Sequence, residues 1–301
     1  MRGNCERWLT DIVRLFKMPC WDKCVGACGV CLLMTIAHLC ACCLPRRIGG
    51  KKKSADRSFD KSLRNGLFKR ILSWTPYNDN TNTTTLKILV IGPEDSGKSA
   101  FINSLVSIFL GKIIHLDDME QCLEKRLTHG RKALPIVMCE CKETSEEDSL
   151  YDQVLRAIEA QTPAGENVST NTMTIMTEEV APDTSLGVIF VVDVQKIAGL
   201  MQTDLVAKYD SIADLLKHFD VPRCVVLTHA DILEPDVRAV FGNGAVKTAL
   251  LQAQMMFDLP EHDVFPVKCY TDEQQLHQNM DILLLNALDS ILEILDRNNV
   301  T

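Results

Sequence analysis

The apolar positions of the chain fall into three kinds of run. Leu86–Ile91, Leu186–Val194 and Arg223–Asp231 hold almost unbroken apolar stretches of strand length (LKILVI, LGVIFVVDV and RCVVLTHAD). Such runs suit strands buried on both faces. Phe101, Ile102, Leu105, Ile108 and Phe109 recur at helical spacing after the first of them, and further helical stretches fall near 203–218, 245–257 and 279–296. Strands alternating with helices predict an α/β fold, a mostly parallel sheet covered on both faces. The third kind is a single segment from Cys24 to Leu44 (CVGACGVCLLMTIAHLCACCL), which carries no formal charge. Polar stretches punctuate the rest. Residues 78–85 read as a loop, and residues 161–184, polar and rich in Thr, read as a long surface loop. No internal repeat is evident.

Composition is that of an ordinary globular protein: 301 residues, 46% hydrophobic and 24% charged. It excludes collagen-like, low-complexity and wholly disordered chains. The net charge of −8 argues against general nucleic-acid affinity. Its distribution is uneven. Residues 1–75 hold 15 Lys/Arg against 5 Asp/Glu, and 8 of the 13 cysteines lie in the first 45 residues. A basic, Cys-rich region thus precedes an acidic body, a division that suits contact with an anionic surface.

As a helix, the uncharged 24–44 segment would span about 31 Å, close to the ~30 Å hydrocarbon core of a bilayer. Arg46, Arg47 and Lys51–Lys53 follow it, so the positive-inside rule puts the C-terminal body in the cytosol. Trp8, Leu9, Ile12, Val13, Leu15 and Phe16, interleaved with Arg7, Arg14 and Lys17, form an amphipathic interfacial pattern ahead of it. Residues 1–53 are therefore expected to meet a membrane surface. Cys40, Cys42 and Cys43, beside the basic cluster, suit lipidation by palmitate. Zinc binding through Cys28, Cys31, Cys40, Cys42 and Cys43, an apolar helix packed on the body, or a poorly ordered extension are the alternatives. The late start of the apolar run fits a secretory signal poorly, and Arg2 opposes myristoylation. Residues 54–83 read as a linker with short helices.

The most informative stretch lies between the first strand and the first helix. Gly92-Pro93-Glu94-Asp95-Ser96-Gly97-Lys98-Ser99 fits G-x-x-x-x-G-K-[ST] and opens the helix at Ala100. Glycines let successive backbone N–H groups turn toward one anion, and the helix N-terminus adds its dipole. Lys98 offers a cation to phosphates, and Ser99 a hydroxyl to Mg²⁺. These residues predict a nucleotide phosphate site in a P-loop NTPase-type three-layer sandwich spanning residues 84–297. Thr228-His229-Ala230-Asp231 follows a later strand and resembles the [TN]-K-x-D pattern that reads guanine, with His229 where Lys is usual and its imidazole expected to stack on the base as the Lys stem does. A carboxylate at Asp231 accepts from guanine N1–H and its 2-amino group, which adenine cannot match.

The chain resembles the interferon-induced protein 44 family of P-loop GTPase-like proteins from about Ile71 to Asp296. RILSW at 70–74, LVIGPEDSGKSAFINSLVSIFLGKI at 89–113, LPIVMCE at 134–140, VVDVQKI at 191–197, VPRCVVLTHAD at 221–231, FPVKCY at 265–270 and the MDILLLNALDSIL that follows carry the resemblance. It implies binding of GTP or GDP with Mg²⁺, an interferon-response or innate-immunity setting, and further base contacts from Lys268 and Cys269. The sequence departs from the family where an Asp-x-x-Gly is usual. Glu140 stands for the metal-side Asp, and Glu143 for the Gly that meets the γ-phosphate. No water-positioning Gln is evident, and Thr128 is the one candidate for a switch threonine. The acidic run from Glu140 to Asp148 would lie near the nucleotide. Asp193 ranks below Glu140 as a metal-side acid and reads as structural. Weak or absent GTP hydrolysis is expected. The alternatives are a membrane-tethered pseudo-GTPase scaffold that does not depend on hydrolysis, with protein partners unspecified, and an ATP-binding enzyme.

Overall fold

The computed structural model describes residues 59–76, 85–114, 124–142, 149–161 and 184–297. The expectations for residues 1–53, for the Glu143 position and for the loop beyond residue 161 fall outside these stretches. Six strands form one sheet: β1 (Thr85–Ile91), β2 (Glu124–His129), β3 (Lys132–Glu140), β4 (Thr184–Asp193), β5 (Arg223–Thr228) and β6 (Val264–Pro266). Their order is β2-β3-β1-β4-β5-β6. β2 pairs antiparallel with β3, and every other pairing is parallel. This is the mostly parallel sheet of a P-loop α/β fold. The central strands are its most apolar, because each is covered on both faces. Val188–Val192 of β4 are all fully buried.

Helices α1 (Lys61–Ser73), α2 (Lys98–Leu110) and α8 (Gln278–Arg297) pack together on one face. Helices α3 (Leu150–Glu159), α5 (Leu205–His218) and α7 (Gly244–Phe257) associate on the other. Two short helices, α4 (Ile197–Leu200) and α6 (Ala230–Leu233), follow β4 and β5. Local chemistry sets several starts. Asp60, Ser149 and Asn243 are N-caps whose side chains accept from backbone N–H groups of the first turn. Between β4 and the α5/α7 layer, Phe190 lies 4.6 Å from Phe257 and 6.1 Å from Tyr209, centroid to centroid.

Helix α1 lies in the stretch expected to hold a linker with short helices, and it packs on the body. Leu67 and Ile71 are buried, and Phe68 stacks on Phe109 of α2 with centroids 5.2 Å apart. Helix α1 falls in one compact unit with the sheet. Among the described residues no helix is long and apolar enough to cross a membrane.

Candidate phosphate and base site

Parallel strands direct their carboxyl ends to one edge of the sheet, where ligands of open α/β sheets bind. β1 delivers the phosphate loop, Gly92 to Ser99, to that edge and α2 begins at Lys98. Gly92 is required by close approach: a Cβ there would sit 2.1 Å from the Val191 carbonyl oxygen. Gly97 is required twice over. Its φ of +85° is costly for other residues, and a Cβ would press on Thr228. Asp95 also adopts a positive φ, +53°. Glu94 and Asp95 form the exposed crest and Pro93 is half-buried beside them, with Ser96 buried beneath and Ala100 in the first turn of α2.

Lys98 is 8% exposed, and its Nζ donates to the carbonyls of Gly92 and Pro93 at 3.1 and 2.8 Å. The ammonium is therefore folded back across the loop that would hold phosphate. Burial lowers its pKa, and Glu140 opposes that shift. Ser99 Oγ donates to Glu140 Oε1 at 2.7 Å, and Glu140 is 4% exposed. Glu140 ends β3, next to β1, so its carboxylate meets the phosphate loop from the neighbouring strand. A hydroxyl and a carboxylate facing each other beside a lysine are hard oxygen donors of the sort Mg²⁺ takes. The residues present fit that ion together with a phosphate group.

Asp193, at the end of β4, plays another part. Its Oδ1 accepts from Gln195 N at 2.8 Å, and its Oδ2 lies 3.5 Å from His229 Nδ1. The structural role expected for it matches this turn. Thr128 is part of β2, an edge strand separated from β1 by β3, and pairs with Ala133. It is not in a loop at the phosphate edge.

The base-side residues lie at the same edge. Thr228 is fully buried, and its Oγ1 donates to Ser96 O at 2.6 Å, joining the THAD loop to the phosphate loop. His229 adopts a positive φ of +56°. Its Nδ1 is 3.2 Å from Thr228 Oγ1. The backbone of Ala230 donates to Val267 O at 3.1 Å, which fastens the second base loop to the first. Asp231 Oδ2 lies 3.7 Å from Lys268 Nζ, and Lys268 is in turn 3.1 Å from Glu273 Oε1. Both Asp231 and Lys268 keep about a third or less of the side chain exposed, at 31% and 26%. Cys269 differs in kind. Its thiol is buried and hydrogen-bonded to Ser104, and burial pushes its pKa to about 12. Only its backbone is suited to a base. Glu273, a partner the sequence pattern did not reveal, is found by proximity alone.

The fold and this edge define a P-loop α/β domain with a phosphate loop and a facing base loop. No protein-family model matches the chain. Curated relatives do. It is 29% identical to mouse (Mus musculus) interferon-induced protein 44, the alignment covering 76% of this chain and 59% of that protein. It is 24% identical to the human protein of that name and 23% identical to human interferon-induced protein 44-like, each covered over 56% of its length. The resemblance read from the sequence is thereby borne out, and the chain spans little more than half the length of the curated relatives it matches. Among solved structures it is similar to a probable GTP-binding protein engB at TM-score 0.43 and 13% identity, covering 71% of this chain and 100% of that one. Toc33 from Arabidopsis thaliana, solved with GDP and Mg²⁺, is similar at TM-score 0.39 and 12% identity, covering 78% of this chain and 91% of that one.

Proposed function

We propose that the protein binds guanine nucleotides through this edge and hydrolyses GTP slowly or not at all. The bond from Thr228 Oγ1 to Ser96 O carries the proposal, because it sets a base loop with a half-buried carboxylate against a phosphate loop. Gly92 to Ala100 would hold the phosphates. Lys98 would exchange its two carbonyl partners for phosphate oxygens, a change from neutral to charged acceptors that favours the bound state. Asp231 would accept from the guanine edge, while Lys268, held by Glu273, keeps that carboxylate in place. Ser99 and Glu140 would hold Mg²⁺, which on binding neutralises phosphate charge. The slow turnover follows from the sequence: Glu143 stands where a Gly would meet the γ-phosphate, and no residue is evident to position water.

Asp231→Asn tests the base reading. An amide reverses one acceptor into a donor, so GDP affinity should fall about tenfold while xanthosine diphosphate improves. A variant with no change in either nucleotide, by competition with a fluorescent analogue, would remove Asp231 from the site.

The similarity to interferon-induced protein 44 supports an interferon-response or innate-immunity role. The basic, apolar residues 1–53 support a body tethered to a membrane from the cytosolic side. Fractionation should find the full-length chain with membranes and a chain lacking residues 1–53 in the supernatant. Equal partitioning of the two would contradict the tether.

A further inference from the structure

We infer that Lys196 is a nucleotide-binding residue, supplying from the turn after β4 the cation that the base-recognition pattern places at position 229. This rests on the guanine-nucleotide reading of the site.

The pattern [TN]-K-x-D calls for a long cationic side chain beside the base. This chain has an imidazole there, which lacks a lysine's reach and turns its Nδ1 toward the strand ends. His229 Nδ1 lies 3.2 Å from Thr228 Oγ1 and 3.5 Å from Asp193 Oδ2, so the ring is held between the ends of β4 and β5. The phosphate loop nevertheless receives a lysine from another direction. Lys196 Nζ donates to the carbonyl of Asp95 at 3.2 Å, across 101 residues of sequence. The side chain is exposed.

Asp193 arranges both substitutions. Its Oδ1 accepts from Gln195 N at 2.8 Å and its carbonyl from Lys196 N at 3.0 Å, which closes the turn that presents Lys196. Its Oδ2 faces His229. Asp193 is also the register partner of Thr228 on β5, the residue bonded to Ser96 O. The Lys196 ammonium therefore reaches the phosphate loop one residue before the point where the base loop joins it. An ammonium has three N–H donors, and the bond to Asp95 O uses one. The remaining donors suit sugar oxygens of a nucleoside, and the four-carbon stem suits the face of a purine. The ligand portion assigned to Lys196 is thus the sugar–base half of a purine nucleotide rather than its phosphates.

The test is equilibrium binding of GDP and of inorganic pyrophosphate, each with Mg²⁺, to the full-length chain. Lys196→Ala should weaken GDP about tenfold and change pyrophosphate by less than about twofold, as expected for one lost charge-assisted bond away from the phosphates. Adding His229→Lys to the Lys196→Ala chain should restore most of the GDP affinity. Unchanged GDP affinity in Lys196→Ala would overturn the inference. So would an equal loss for pyrophosphate, which would make Lys196 a brace for the phosphate loop alone. Wild-type chain that holds GDP no more tightly than pyrophosphate would overturn the base-side reading itself, so the two failures appear in different arms.

Discussion

Lys98→Ala should abolish measurable nucleotide binding and leave the fold standing. Without ligand, Lys98 Nζ is spent on the carbonyls of Gly92 and Pro93. In the proposed complex the same ammonium would face phosphate oxygens. Hydrogen bonds to charged groups are each worth ~1.5–3 kcal/mol, so losing the cation costs at least about tenfold in affinity, and more if it serves two oxygens. The loop itself has other supports. Ser96 N donates to Pro93 O, Thr228 Oγ1 holds Ser96 O, and Gly92 packs against Val191. A buried lysine whose pKa is lowered by desolvation is moreover no contributor of ordinary core stability. Titration with a fluorescent guanine nucleotide, beside a circular-dichroism melt, checks both halves. A variant that binds as tightly as the wild type would make the glycine loop a turn and nothing more.

The second large effect lies away from the nucleotide. Asp281 of α8 is buried, with 2% of its side chain exposed, and pairs with Arg64 Nε of α1. Its other oxygen accepts from the Tyr270 hydroxyl at 2.7 Å, and that hydroxyl accepts from His277 N at 2.7 Å. Removing one member of a buried pair leaves a charge without compensation, at a cost of about 3–5 kcal/mol. The bond from Tyr270 remains, so Arg64→Ala should cost about 3 kcal/mol, the lower end of that range. Arg70 pairs with Asp289 on the same two helices but is 63% exposed, so Arg70→Ala should cost less than about 1 kcal/mol. Urea unfolding of the two variants reads the contrast. Equal costs would mean that α1 is held by its apolar face alone, through Leu67 and Ile71.

What the sequence made legible was local. The phosphate loop and α2 announce themselves because strand, glycines, Lys98, Ser99 and the helical spacing from Phe101 to Phe109 adjoin one another. The helices expected near 203–218, 245–257 and 279–296 are found at Leu205–His218, Gly244–Phe257 and Gln278–Arg297. Their apolar periods are long, and long periods are the strongest signal. A short helix is expected within residues 54–83, but a sparse apolar stripe in basic surroundings does not tell that it packs on the body. Its Asp60 N-cap was the available clue. The strand pair β2–β3 turns at Gly130, with φ +60°, yet β2 escaped notice, since its EKRLTH carries only Leu127 as a buried aliphatic residue.

Within the site, residue types were legible and their meetings were not. Gly92–Ser99 and Asp231 follow from motif and spacing, and Glu140 from the family resemblance. The bonds from Thr228 to Ser96 and Lys196 to Asp95 do not, because separations of 132 and 101 residues are closed only by the order of the strands.

The central claim is that this edge binds a guanine nucleotide. Calorimetric titration of the full-length chain with GDP, GTP, ADP and ATP in the presence of Mg²⁺ tests it directly, with released phosphate followed in the same samples. The structure predicts saturable binding of GDP and GTP, adenine nucleotides weaker by at least about tenfold for want of a match to Asp231, and little phosphate release. No binding of any of the four, or equal affinity for adenine and guanine nucleotides, would contradict it.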